Sequence, residues 1–292
     1  MQGVYSIKDL EKISGIKAHT LRIWEQRYNI LEPKRTKTNI RYYDRSDLKK
    51  LLNISILNCN GVKISKISQM TQTEIREKVI ELHECCDQYA NQVNGLTLAM
   101  LDLDEGRFEN VLNKNILQLG FEDCMINVIY PFFERVGILW QTGTINPAQE
   151  HFVSNLVRQK LLVAIDGQSN LVNDEAAKYL LFLPAGEMHE LSLLFANYIL
   201  KSRGMKVVYL GQSLPVEDLP KVVDLYQPDY IFTILTTLRS EKELEKFVKN
   251  LSNTFKDRHI LMAGKAFEDV DFAMPSNAQG FSAVREFIDY LS

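Results

Sequence analysis

From Lys178 onward, five short apolar runs alternate with segments of helical spacing, and this alternation restricts the fold more than any other feature of the chain. The runs are Lys178 to Leu183, Val207 to Leu210, Tyr230 to Leu235, Ile260 to Ala263 and Gly280 to Ser282. Helical spacing covers Leu193 to Ser202, Val216 to Tyr226, Glu241 to Thr254 and Val284 to Leu291. Strands separated by helices pair in parallel, so the pattern predicts a five-stranded, doubly wound, flavodoxin-like sheet over residues 175–292. Ligands of such sheets sit outside the carboxyl ends of the strands. The turn after the first run, Pro184-Ala185-Gly186-Glu187-Met188-His189-Glu190-Leu191-Ser192, puts His189 there. Thr233 and Gly264 end later strands and can become its neighbours.

The chain of 292 residues has room for two or three domains, each with its own core. No run of about 18 apolar residues occurs, and Met1 to Tyr5 lack a basic-then-apolar pattern, so a cytoplasmic protein without a membrane partner is expected. Cys59, Cys85, Cys86 and Cys124 form no C-x-x-C pair, and His83-Glu84-Cys85-Cys86 is a weak metal pattern, so reduced thiols and no metal cluster are expected. Charge is uneven. Residues 1–75 hold 14 Lys+Arg against 7 Asp+Glu, whereas the remainder holds 20 against 30. A basic head on an acidic body points to a polyanionic partner for the head.

Ser6-Ile7-Lys8-Asp9 has capping-box form, and Ile7, Leu10 and Ile13 share one helical face. After the turn Ser14-Gly15-Ile16, a second helix is predicted from Lys17 to Tyr28, with Leu21 and Trp24 inward and Lys17, His19, Thr20, Arg22 and Arg27 outward. This is a helix-turn-helix. The basic stretch Pro33 to Tyr43 reads as a hairpin wing reaching phosphates, and a third helix follows from Asp44 to Leu57.

Residues 73–94 and 96–119 then show helical spacing with few breakers, Gly95, Gly106 and Gly120. Glu122 to Trp140 reads as a helix interrupted by Pro131, and Ala148 to Ile165 as a fourth. Short connections predict a four-helix bundle over 76–172.

Tyr5-Ser6-Ile7-Lys8-Asp9-Leu10, Thr20-Leu21-Arg22-Ile23-Trp24-Glu25-Gln26-Arg27-Tyr28 and Ile40-Arg41-Tyr42-Tyr43 resemble the winged-helix domain of MerR-type transcription regulators. The resemblance covers the head, residues 1–75. It implies Thr20, Arg22, Tyr28, Arg35, Arg41 and Tyr42 as contacts to a double-stranded DNA operator, and a homo-oligomer, dimer or tetramer, on an inverted repeat.

Trp140, nine intervening residues and then Glu150-His151 resemble the helical cap of cobalamin-dependent MerR-type photoreceptor regulators of the CarH/LitR type. By that resemblance Trp140 packs against the adenosyl group of adenosylcobalamin, with Glu150 and His151 contacting it. The light-sensing members carry a histidine directly after the Trp, where this chain has Gln141, so the photochemical outcome is expected to differ or light not to be the signal. Glu187-Met188-His189-Glu190-Leu191-Ser192, Thr233-Ile234-Leu235 and Ala263-Gly264 are similar to the family pattern Asp-x-His-x-x-Gly, Ser-x-Leu, Gly-Gly. That likeness implies His189 as lower axial cobalt ligand, Glu187 as its carboxylate partner, and Ser192, Thr233, Leu235, Ala263 and Gly264 as lining for the displaced nucleotide tail.

The reading is a multidomain α and α/β protein: winged helix-turn-helix head, four-helix-bundle cap and cobalamin-binding sheet domain. Its expected function is a cobalamin-dependent, light-responsive transcription regulator acting as a repressor. The alternative is a cobalamin-independent MerR-type repressor whose C-terminal domain binds a protein antagonist. A corrinoid enzyme is a third class, but a sequence-specific DNA-binding head would serve no purpose there, so no enzymatic activity is expected.

Overall fold

The computed structural model describes residues 5–36, 39, 41–59, 61–75, 78, 89–141, 144–168, 175–236, 241–268 and 270–291. His83, Cys85 and Cys86 and part of the expected 73–94 helix lie outside them. The chain divides into two compact units, Met1–Asn155 and Leu156–Ser292.

In the first unit, α1 (Ile7–Ser14) starts at a capping box: Asp9 N donates to Ser6 Oγ and Ser6 N to the Asp9 carboxylate. It stops at Gly15, whose φ of 73° closes the tight turn into α2 (Ala18–Tyr28). Leu21 and Trp24 are buried, as their spacing predicts. β1 (Lys34–Arg35) and β2 (Arg41–Tyr42) form an antiparallel wing, and α3 (Arg45–Cys59) and the short α4 (Ile64–Ile67) follow.

The helices beyond are α5 (Tyr89–Asp102), α6 (Glu105–Leu119), α7 (Phe121–Cys124), α8 (Tyr130–Gln141) and α9 (Pro147–Asp166). Two sequence expectations are corrected here. Gly95 does not break a helix; α5 runs through it. The break falls at Leu103, with φ of 54°, and Asp104, whose carboxylate caps α6 at Arg107 N. Pro131 does not interrupt a helix either. A π-helical turn, Met125–Ile129, precedes it and joins α7 to α8, with Tyr130 N bonded to Met125 O. The wider turn accommodates a residue that lacks an N–H and whose ring clashes with the preceding turn of a regular helix. Within this unit α3 packs along α5 and α1 meets α8. Lys49 of α3 pairs with Asp102 at the end of α5.

The second unit is a parallel sheet of β3 (Lys178–Phe182), β4 (Lys206–Tyr209), β5 (Tyr230–Ile234), β6 (His259–Ala263) and β7 (Ala278–Phe281) in the order β4-β3-β5-β6-β7. The crossover helices are α10 (Glu190–Ser202), α11 (Leu219–Tyr226) and α12 (Glu241–Thr254), and α13 (Val284–Tyr290) closes the chain. Leu180, Phe182, Ile231, Ile260 and Met262 join Leu219, Leu244, Val248 and Leu251 in one core beside the sheet. Each fully buried aromatic or aliphatic side chain contributes about 1.5–3 kcal/mol. β3 is flanked by β4 on one side and β5 on the other, so strand order reverses at β3. The loop leaving β3 therefore opens at the switch point of the sheet. Among the described residues no helix is long and apolar enough to cross a membrane.

Candidate functional site

In the second unit, the β3–α10 loop is held against the loop after β4. Leu183 N donates to Gly211 O, Leu214 N to Leu183 O, and Gly186 N to Ser213 Oγ at 3.3 Å. A turn closed by Glu187 N on Pro184 O brings Glu187 inward. Its carboxylate is 2% exposed, while the His189 side chain directly before α10 is 64% exposed. Oε1 accepts from Met188 N at 3.1 Å and His189 N at 3.2 Å, and lies 2.5 Å from His189 Nδ1. Oε2 accepts from Thr236 N at 2.9 Å. An ionised carboxylate can only accept, so in the neutral ring Nδ1 carries the proton and Nε2 keeps its lone pair. That is the arrangement in which imidazole binds a transition metal, with ring orientation and tautomer set by a buried acid.

The next residue secures the helix start. Glu190 Oε2 accepts from Arg158 Nε at 2.9 Å and Oε1 from the Tyr209 hydroxyl at 3.0 Å. Burial first, then Glu190, push the Tyr209 phenol well above its ordinary range, so it stays a donor. A carboxylate in the first turn also suits the helix dipole. Ser192 lies half-buried within the same turn.

The end of β5 supplies the polar floor. Thr233 is wholly buried, and among the described residues neither its hydroxyl nor the buried hydroxyl of Thr236 has a hydrogen-bond partner. An unsatisfied buried hydroxyl costs about 1–3 kcal/mol, so both fit a bound polar group. Leu235 N donates to Ala263 O at 2.8 Å, tying β5 to β6. Gly264 has φ of 124°, and a Cβ there would lie 2.2 Å from Leu235 O. Its lack of a side chain is thus required by the neighbouring strand end itself.

The first unit holds the other expected contacts. Trp140, near the end of α8, is 55% exposed, unusually bare for its size. Gln141 closes α8, and its side chain lies outside the described residues. Glu150, in the first turn of α9, accepts from Ser154 Oγ at 2.6 Å and lies 3.3 Å from Nδ1 of the exposed His151. The buried Gln149 and the exposed Asn146 cap one another's backbone N–H groups at the α9 start. These contacts orient Glu150 and His151 together.

In the head, Arg22 is exposed and Thr20 and Tyr28 are partly exposed on α2, while Arg35, Arg41 and Tyr42 lie on the wing. Arg35 binds Asn39 Oδ1 at 2.7 Å. Arg41 Nε donates to Glu25 at 3.2 Å, and Lys34 is paired with Asp44. That last pair holds the Asp44 carboxyl far below its usual range.

Sequence reasoning missed Thr236, Arg158, Tyr209, Ser154 and Glu25. Ser154 stands four residues after Glu150, a spacing that could have revealed it. Thr236 acts through its backbone N–H, which leaves no residue-type signal.

Residues 5–74 match the family model described as MerR HTH family regulatory protein, and residues 92–164 match the one described as B12 binding domain. The HTH-type transcriptional repressor CarH of Myxococcus xanthus is 27% identical over 253 residues, spanning 85% of this chain and 84% of that protein. The HTH-type transcriptional repressor CarA of the same organism is 24% identical over 246 residues, spanning 84% and 81%. Among solved structures, the Methanosarcina barkeri monomethylamine corrinoid protein has a TM-score of 0.51 at 13% identity, covering 74% of this chain and 98% of that one, a likeness of fold alone. The chain is homologous to the CarH and CarA repressors. A MerR helix-turn-helix domain joined to a B12-binding domain makes it a cobalamin-binding transcription regulator.

Proposed function

We propose that this homologue of CarH and CarA is a light-responsive transcriptional repressor that uses adenosylcobalamin to set its oligomeric state and its hold on an operator. The observation that carries the proposal is the Glu187–His189 pair at the switch point of the sheet, together with two buried hydroxyls that have no partner among the described residues. His189 would ligate cobalt through Nε2, with Glu187 holding the ring. The Thr233 and Thr236 hydroxyls would receive polar groups of the nucleotide tail, and Ser192, Leu235, Ala263 and Gly264 would line its path. Trp140, Glu150 and His151 would meet the adenosyl group. Bound adenosylcobalamin supplies a cobalt–carbon bond that light cleaves.

The residues of the chain do the rest. With the adenosyl group in place, Trp140 would bury ring surface that is otherwise exposed, and Glu150 and His151 would meet its polar atoms. That difference in contacts between the dark and lit states biases the oligomer equilibrium. The oligomer presents Thr20, Arg22, Tyr28, Arg35, Arg41 and Tyr42 of two heads to an inverted repeat, where multiplied phosphate contacts raise affinity.

The test is binding to the DNA upstream of the protein's own gene and its neighbours, with size-exclusion of the same samples, comparing cofactor-free, dark adenosylcobalamin-loaded and green-lit protein. Tighter binding and a larger species in the loaded dark sample, both reversed by light, is the expected result. Binding indifferent to cobalamin would favour a repressor governed by a protein antagonist. Cobalamin-dependent binding indifferent to light would leave a chemical sensor of the cofactor.

A further inference from the structure

Glu25 is an acid on the helix that carries Arg22 and Tyr28, where a negative charge repels the phosphates the head is built to meet. Its side chain is only 14% exposed. Oε1 accepts from Arg41 Nε and Oε2 from the Tyr43 hydroxyl, each at 3.2 Å. Arg41 and Tyr43 are two apart on an extended segment and so share one side of it, with Tyr42 on the other. One carboxylate therefore grips the wing at two points on the face turned to α2.

The wing end is anchored further. Tyr43 is fully buried and exchanges both backbone hydrogen bonds with Tyr5, at 2.8 and 2.9 Å. Burial, then Glu25, push its phenol up to about 12, so it remains a hydrogen-bond donor at any ordinary pH. Arg41 faces Arg35 across the hairpin, two cations that repel unless an acid lies close to one of them. Because Glu25 engages Nε, the terminal amino groups of Arg41 are the ones a phosphate would meet, from a side chain 36% exposed.

We infer that Glu25 is a positioning residue for DNA binding, which fixes the wing to the recognition helix and presents Arg41 to a backbone phosphate. This rests on the DNA-binding reading of the head. It also predicts the opposite sign from simple electrostatics, in which neutralising an acid on a DNA-facing helix strengthens binding.

The experiment is fluorescence anisotropy of the full chain on a labelled duplex of mixed sequence, across a salt series, for wild type, Glu25→Gln, Glu25→Asp, Arg41→Met and the double variant Glu25→Gln/Arg41→Met. Glu25→Gln is expected to weaken binding roughly fivefold or more and to flatten the slope of log affinity against log salt by about 0.9, one phosphate contact. Arg41→Met should give the same flattening, the double variant no more than Arg41→Met alone, and Glu25→Asp a partial return toward wild type. Tighter or unchanged binding by Glu25→Gln, or an unchanged slope, overturns the inference. Should Glu25→Gln fail to fold, Arg41→Met decides alone: a slope lower by about one supports it and an unchanged slope overturns it. Failure of the wild type to bind duplex would instead remove the DNA-binding reading on which the inference rests.

Discussion

Replacing Glu187 by glutamine keeps the shape of the side chain and removes the charge on which the candidate site turns. In the native arrangement Oε1 serves Met188 N, His189 N and His189 Nδ1, while Oε2 serves Thr236 N. A glutamine can place its carbonyl on the first three donors, but its amide then points two N–H groups at the Thr236 N–H. One charge-assisted bond worth about 1.5–3 kcal/mol is lost, and the ring bond reverts to a weaker neutral one, so the loop is destabilised by roughly 2–4 kcal/mol. Because the residue is 2% exposed, water cannot make good the loss. An imidazole with a poorly held Nδ1–H is also a weaker ligand, and loss of such a partner typically costs about 10–100-fold in metal affinity. Spectrophotometric titration with adenosylcobalamin in the dark should therefore give Glu187→Gln a Kd higher by roughly that factor. Glu187→Asp, charged but a methylene short, should fall between. Wild-type affinity and an unaltered bound spectrum for Glu187→Gln would refute the role of the carboxylate.

Gly264→Ala should lower stability by roughly 2–4 kcal/mol, since a Cβ would press on Leu235 O at a φ unsuited to alanine; thermal melting followed by circular dichroism would expose an error as an unchanged Tm. Trp140→Ala should reduce the preference for adenosylcobalamin over aquocobalamin by roughly tenfold, and equal loss for both ligands would remove the tryptophan from the adenosyl face. Cys124 is buried and desolvation lifts its thiol to about 12, so it stays protonated and inert. Iodoacetamide should label it only after unfolding; labelling of folded protein at mildly alkaline pH would contradict the packing.

Much of the architecture could be read from the chain because its patterns are local. The capping box at Ser6, the inward Leu21 and Trp24, and the five runs of the sheet each declare themselves within a dozen residues. The boundaries that misled are those where side-chain capping competes with composition. Gly95 looked like a break, but burial in the packed interior carries α5 through it, and the break comes where Asp104 caps α6. Pro131 looked like an interruption, yet one π turn absorbs it. In the candidate site, strand position put His189 at the carboxyl end of β3, whereas Glu187 was singled out beside it only by the resemblance to the family pattern. Thr236 was not, because a backbone N–H belongs to every residue but proline. Glu25 was hidden because its partners stand 16 and 18 residues away in sequence and are brought to it only by the wing.

The most direct test of the central claim, cobalt ligation by His189, is electron paramagnetic resonance of the full chain loaded with cob(II)alamin supplied as the probe. Protein grown with nitrogen-15 histidine is compared with unlabelled protein and with His189→Ala. Ligation by His189 predicts that the nitrogen splitting changes from triplets to doublets on labelling and that His189→Ala loses the label-sensitive pattern. Triplets that persist in labelled wild-type protein, or an unaltered spectrum in His189→Ala, would contradict it.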